Sequence, residues 1–144
     1  MTNTLQRIRE NLVRQHIYAE CHQDVDGAVA TFAQASYDVV PLSAGPDAPM
    51  THPTEADVRA HLGGLMAAFP DLELQIVRLH HAETAVIVEG RMSGTHLGDF
   101  GDLPATGKRM DLRAAVFYRF DEDEMINETV YFDMATMLRQ LSKQ

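Results

Sequence analysis

One cysteine, Cys21, occurs in the 144 residues, which excludes an internal disulfide and any thiolate metal cluster. A lone cysteine reads first as a small core hydrophobe. Positive charge is also scarce: 12 Lys and Arg against 21 Asp and Glu leave a net charge of −9. Such a surface repels phosphate backbones and anionic headgroups, so no nucleic acid and no membrane is expected as a partner. No apolar run approaches the roughly 20 residues that span a bilayer. Residues 1–14 are charged at helical spacing and contain no apolar signal core, so the expected location is cytoplasmic.

Chemical fingerprints are missing too. His22, His52, His61 and the pair His80-His81 form no metal-ligand pattern with carboxylates or cysteine. Lys108 and Arg109 follow a Thr106-Gly107 turn without the rest of a phosphate loop, and Asp121-Glu122-Asp123-Glu124 lacks the ligand spacing of an EF-hand. No dinucleotide-binding glycine pattern is present. The expectation is therefore no metal and no cofactor.

What is present is enough apolar sequence, 45%, for one core, and the chain reads as a single domain over 1–144. Leu5, Ile8, Leu12, Val13 and Ile17 recur at helical spacing and predict a first helix. Asp24 and Asp26 precede Ala28, Val29, Ala30 and Phe32, an acidic start for a short second helix. Residues 37–42 have strand character and lead into a Gly-Pro-Asp-Ala-Pro loop over 45–49 that could flex over a ligand. Thr54 caps a third helix that Pro70-Asp71 stops. Beyond it, alternation through Leu72, Leu74 and Ile76, then Val86 and Val88, then 112–120 and 126–132, predicts four strands in one antiparallel sheet. Helices followed by strands argue for an α+β layer architecture, a curved sheet wrapped around three helices with a cavity between them.

Four segments, Phe69-Pro70-Asp71, Gly94-Thr95-His96-Leu97-Gly98, Pro104-Ala105-Thr106-Gly107-Lys108 and Leu138-Arg139-Gln140-Leu141, resemble in order and spacing the SnoaL-like polyketide cyclase family. The resemblance implies a cone of the nuclear transport factor 2-like kind, a curved antiparallel sheet and three helices enclosing an apolar pocket, and a homodimer joined through the sheet. It also implies an intramolecular aldol closure on an apolar polyketide ester, driven by an Asp on the last strand and a His on the preceding one. Those two positions fall on Val130 and Val116. Ketosteroid isomerases share the cone; their base position falls on Val40 and their helix tyrosine on His16. Both catalytic sets are replaced in this chain, which leaves two readings open: a cyclase or isomerase with acid–base groups in altered positions, or a non-catalytic binder of a small molecule.

Glu128 shares a strand face with Ile126, Val130 and Phe132, where desolvation would raise a carboxyl pKa and make it a useful acid or base. Alternatively it is a rim residue or ion-paired. His96 is the second catalytic candidate, carried to the pocket mouth with Met92 by strand parity, or else it pins its own turn through a backbone hydrogen bond. His16 and Glu20, four apart on the first helix, either face the pocket or form a surface pair. Asp38, Val40, Val116, Tyr118, Val130 and Phe132 complete the expected pocket, with Asp38 alternatively a structural partner of an arginine. Ala115, Phe117 and Tyr131 alternate outward and supply the expected dimer face.

Overall fold

The computed structural model describes residues 2–42, 45–47 and 50–142. The helices are α1 (Asn3–Cys21), α2 (Val25–Ala30), α3 (Glu55–Ala68) and α4 (Met134–Leu141). The strands are β1 (Tyr37–Pro41), β2 (Met50–His52), β3 (Glu73–His81), β4 (Ala85–Thr95), β5 (Arg109–Asp121) and β6 (Glu124–Phe132). Of the loop read over 45–49, Ala48 and Pro49 lie outside the described residues. No described helix is long and apolar enough to cross a membrane.

Capping explains where the helices begin. Thr2 accepts from the Leu5 amide at 3.1 Å to open α1, and Asp24 accepts from the Gly27 amide at 2.8 Å to open α2. Thr54 and Asp57 form a reciprocal capping box at α3. Asp133 accepts from the Ala135 and Thr136 amides to start α4, a fourth helix beyond the three expected. The buried residues of α1 are Arg9, Val13, His16, Ile17, Ala19 and Glu20, so three of the six are ionisable. Arg9 earns its place by donating to Glu122 O at 2.7 Å and Glu83 O at 2.8 Å, with its guanidinium over the Phe120 ring. It clamps the ends of both hairpins to the first helix.

The sheet order is β2-β1-β6-β5-β4-β3. It departs from the expected antiparallel sheet at one place, since β1 runs parallel to β6. The chain reaches β6 from β1 through β2, α3 and three further strands, and a parallel pair requires such a crossover. Register sets the concave face row by row. Tyr37, Glu128, Tyr118 and Val86 form one cross-strand row, and Val39, Val130, Val116 and Val88 form the next.

Two strand-parity expectations are corrected. On β1 the residues buried on the concave side are Tyr37, Val39 and Pro41, so Asp38 and Val40 point the other way. Asp38 takes a 3.3 Å hydrogen bond from Asn127 rather than pairing with an arginine. Tyr37, Val39 and Pro41 on one parity and Asp38, Val40 and Leu42 on the other differ in charge only at Asp38, and pairing with β6 decides between them. On β6 Ile126 is 42% exposed while Met125 is buried. Ile126 is left unpaired as a bulge on β6 opposite Arg119 and Phe120, which shifts the register there and inverts the alternation before Asn127.

Candidate active site

Two apolar clusters fill the concave side. One packs α1, α2 and most of the inward face of α3 on the sheet through Val13, Ile17, Val29, Leu62, Val86 and Val116; the other packs the end of α3 and α4 through Ala68, Phe69, Met110, Phe132 and Met137. Between them lies a cavity lined by residues of both, with Glu20, Tyr37, His61 and Glu128 as its polar members. Its volume, counted as the space that water centres can reach, is about 70 Å³. That is room for about five waters, or roughly 150 Å³ of liquid, the scale of a single-ring molecule.

At its deep end, α1 and β6 bring three ionisable groups together. His16 Nε2 lies 2.5 Å from Glu20 Oε1, 2.6 Å from Tyr37 Oη and 3.0 Å from Glu128 Oε2. The Tyr37 hydroxyl donates to Glu20 Oε1 at 2.5 Å, so it meets His16 as an acceptor. On the other side of the ring, Nδ1 lies 3.1 Å from Ala28 O and 2.8 Å from Thr31 Oγ1, and the Thr31 hydroxyl donates to Ala28 O. Both ring nitrogens therefore face acceptors only, which assigns His16 as an imidazolium. Burial alone would lower its pKa, but the charges of Glu20 and Glu128 and the hydrogen bond to Glu20 overcome this and raise it to about 10.

The two carboxyl groups are driven apart. Burial pushes Glu20 up, yet the His16 charge and the hydrogen bonds from His16 and Tyr37 hold it below the ordinary carboxylate range. Glu128 goes the other way: burial raises its pKa, the Glu20 charge raises it further, and His16 only partly compensates. Two carboxyls in one site, one held ionised and one pushed toward the protonated form, is the arrangement that separates a fixed counter-ion from a proton-transferring group. Glu128 Oε2, although at ion-pair distance from His16, has no well-directed hydrogen bond, because the single Nε2 hydrogen has closer acceptors. The Tyr118 hydroxyl, on the residue directly across from Glu128, is also buried without a partner.

Among the described residues, His16, Glu20 and Glu128 are the one group whose ligand atoms lie close enough, within 4.8 Å, to hold a metal ion. The donor separations argue for protons instead. Two ligands about 2.05 Å from a tetrahedral ion stand about 3.3 Å apart, whereas His16 Nε2 and Glu20 Oε1 are in hydrogen-bond contact at 2.5 Å.

Glu20, Met92, Val116, Val130 and Phe132 line the cavity with Glu128, as their sequence positions suggested. His16 is buried behind Glu20 and Glu128 rather than on the helix surface, and Tyr118 is fully buried beneath the wall. Val40 and Asp38 are outside. His96 is also outside the cavity lining. It is buried and stacked on Phe69 with ring centroids 5.4 Å apart, and its Nδ1 accepts from the Thr106 amide at 3.3 Å. Its backbone takes Gly107 N and reaches Lys108 O, so it ties the 94–98 turn to the 104–108 segment. Gly98 belongs to the same lock, since a Cβ there would stand 2.4 Å from Ala67 O. The motif that carried the resemblance is thus architectural.

Sequence reasoning missed Tyr37 and His61. Tyr37 was hidden by the parity ambiguity of β1. His61 lies three after Val58 and one before Leu62, both buried, so its place on the inward stripe of α3 was available from helical spacing.

A family model described as SnoaL-like polyketide cyclase matches residues 12–141. No curated protein matches the chain. Among solved structures, a candidate SnoaL-like polyketide cyclase from Jannaschia sp. CCS1 superposes with a TM-score of 0.81 at 15% identity, covering 96% of this chain and 94% of that one. AclR, a candidate hydroxylase from Streptomyces galilaeus, gives a TM-score of 0.75 at 22% identity over 92% of this chain and 94% of its own. A protein with a ketosteroid isomerase-like fold from Catenulispora acidiphila, in complex with trimethylamine, gives 0.70 at 18% identity over 90% and 91%. At these identities the likeness shows the fold.

Proposed function

The chain belongs to the SnoaL-like polyketide cyclase family, and we propose that it is a cofactor-free acid–base enzyme that moves a proton at the α-carbon of a neutral, apolar carbonyl compound. The single observation that carries this is the His16 imidazolium between two carboxyls, of which Glu128 opens on the cavity. Ionised Glu128 takes the α-proton, leaving an enolate. In a ring closure the enolate carbon attacks a second carbonyl of the same molecule, and the new alkoxide takes a proton back from Glu128, which restores the starting state. In an isomerisation Glu128 returns the proton to a different carbon. His16 and the Glu20 carboxylate hold the local charge while Glu128 cycles. The same reading includes a homodimer joined across the outer sheet face, supported by the edge-to-face pair of Phe117 and Tyr131 and by exposed Val77.

A binding protein without chemistry is the second reading, favoured by the valines at positions 116 and 130, where the resemblance places a His and an Asp. Exchange of the acetophenone methyl protons in deuterated buffer, followed by proton NMR, separates the two. The enzyme reading expects exchange that persists in excess chelator and is lost in Glu128→Gln. Exchange at the solvent rate with wild-type protein would leave the binding reading.

A further inference from the structure

The cavity has a second polar wall, opposite the sheet. His61 projects from α3 into it, with its ring centroid 5.7 Å from that of Tyr37 and 4.6 Å from that of His52 on β2. It is the one histidine among the described cavity-lining residues. His16 has both ring nitrogens engaged, and His96 is held by Thr106. His61, by contrast, has no protein hydrogen-bond partner among the described residues, and neither nitrogen is sealed from the cavity or solvent. Burial, and then the neighbouring His52, oppose its protonation more than Glu20 favours it, so its pKa falls to about 4 and the ring is neutral. A neutral imidazole offers one N–H donor and one acceptor. The other charged or titratable groups around it are Glu20 from α1, Tyr37 from β1 and Glu128 from β6.

The rest of the lining defines what that donor can take. Among the described residues no lysine or arginine lines the cavity, and the His16 charge is already engaged by Glu20 and Glu128, so an anionic ligand finds no free counter-charge there. The remaining walls are aliphatic, methionine and phenylalanine side chains. An oxygen that accepts a hydrogen bond without carrying charge, on an apolar body, matches this wall.

We propose that His61 forms a carbonyl-binding subsite, whose ring N–H takes the oxygen of a neutral ketone or ester and presents the α-carbon to Glu128 on the facing wall. The assignment rests on the proton-transfer reading of that wall. When the α-proton leaves, charge builds on the carbonyl oxygen, and the N–H stabilises it without giving up its own proton. His61 thereby contacts the reacting atoms and selects for a neutral carbonyl over a free acid.

Acetophenone carrying ¹³C at its carbonyl reads the contact directly, because a hydrogen bond to the oxygen moves that resonance downfield. The wild-type protein is expected to shift it on binding, and Glu128→Gln to keep the shift. His61→Ala should lose it and bind about 5-fold more weakly, the loss expected for one neutral hydrogen bond, while His61→Gln, whose amide also donates, should keep part of it. An unchanged shift in His61→Ala, or no binding of acetophenone to the wild type, would overturn the proposal. Loss of the shift only at His61, with no α-proton exchange in any variant, would leave the subsite standing and sink the proton-transfer reading. Thermal melts of the three variants show whether each remains folded.

Discussion

Raising the pH should strip this fold of stability well before ordinary lysines titrate, and His16 is the reason. Its pKa is about 10 in the folded chain against an ordinary histidine value of 6.5. A folded pKa above the unfolded one means the native state holds the proton more tightly, so the contribution is complete below pH 6.5 and is lost as pH rises toward 10. With 1.36 kcal/mol per pKa unit, the linkage amounts to about 4 kcal/mol at pH 7 and less than about 0.5 kcal/mol at pH 10. Glu128 acts earlier and with the opposite balance: its raised pKa is a cost that begins as pH climbs past the unfolded carboxyl value and grows until the group is ionised in the fold. Tyr37 and Tyr118, both pushed well above 10, add cost only at the alkaline extreme. Urea unfolding at pH 7, 8, 9 and 10 should therefore show a fall of about 3 kcal/mol, roughly 10 °C in Tm for a domain this size. His16→Gln removes the titrating group; it should lose about 3 to 5 kcal/mol at pH 7, as breaking a buried ion pair does, and show a shallower fall than the wild type between pH 7 and 10, with the buried carboxyls as its remaining source of pH dependence. A wild-type protein that loses under about 1 kcal/mol between pH 7 and 10, or a variant with the same slope, would refute the imidazolium assignment.

Glu128→Gln should fold as stably as the wild type at pH 7, or up to about 1 kcal/mol more so, because the amide removes the penalty of burying a carboxyl; a loss of more than about 2 kcal/mol in urea would mark Glu128 as a structural ion pair instead. His96→Ala should cost about 2 to 3 kcal/mol, the price of a buried ring stacked on Phe69, yet leave acetophenone exchange per folded molecule unchanged, since the ring is outside the cavity. Gly98→Ala should destabilise by about 1 to 3 kcal/mol through the 2.4 Å approach to Ala67 O, measured as a shift in urea midpoint. Small-angle scattering at micromolar concentration should give a dimer, and Tyr131→Arg a monomer; a wild-type monomer would remove the outer face as an interface.

The element order was legible because each segment has its own signal. The caps Thr54 and Asp24 and the alternation through Val86, Val88 and Val116 lie where the helices and strands begin and pair. Face assignment was legible only where a strand's two sides differ in polarity. On β5 they do, and Val116 and Tyr118 face inward. On β1 they do not, and 61% exposed Leu42 was indistinguishable by type from buried Val39. A bulge leaves no mark in composition, so Ile126 was misplaced while Glu128, beyond the bulge, was placed correctly. His96 was drawn into the site by motif, although its motif serves a turn. The helix stripe hid the polar cluster for the opposite reason: Arg9, His16 and Glu20 look like solvent-facing residues until the groups that satisfy them, on β6 and in the hairpin loops, are folded over them.

The site's position in the cavity follows from one pleat. Glu128 and Val130 are two residues apart on β6, hence on the same face and about 7 Å from one another along the strand. Their cross-strand partners on β5 are Tyr118 and Val116. The row at Val116 and Val130, where the resemblance places the cyclase His and Asp, is therefore apolar here, and the carboxyl stands one row nearer α1, with Tyr118 across from it and His16 above it. On the proposed reading, the reacting carbon of a ligand sits one row beyond the two valines, at Glu128. The α3 wall meets it there, because His61 is close to Tyr37, the β1 residue in the same row as Glu128. On that reading the carbonyl end lies between His61 and Glu128 in a cavity of about 70 Å³, and the apolar body lies against Met92, Met110 and Met137, whose unbranched side chains can re-pack around it.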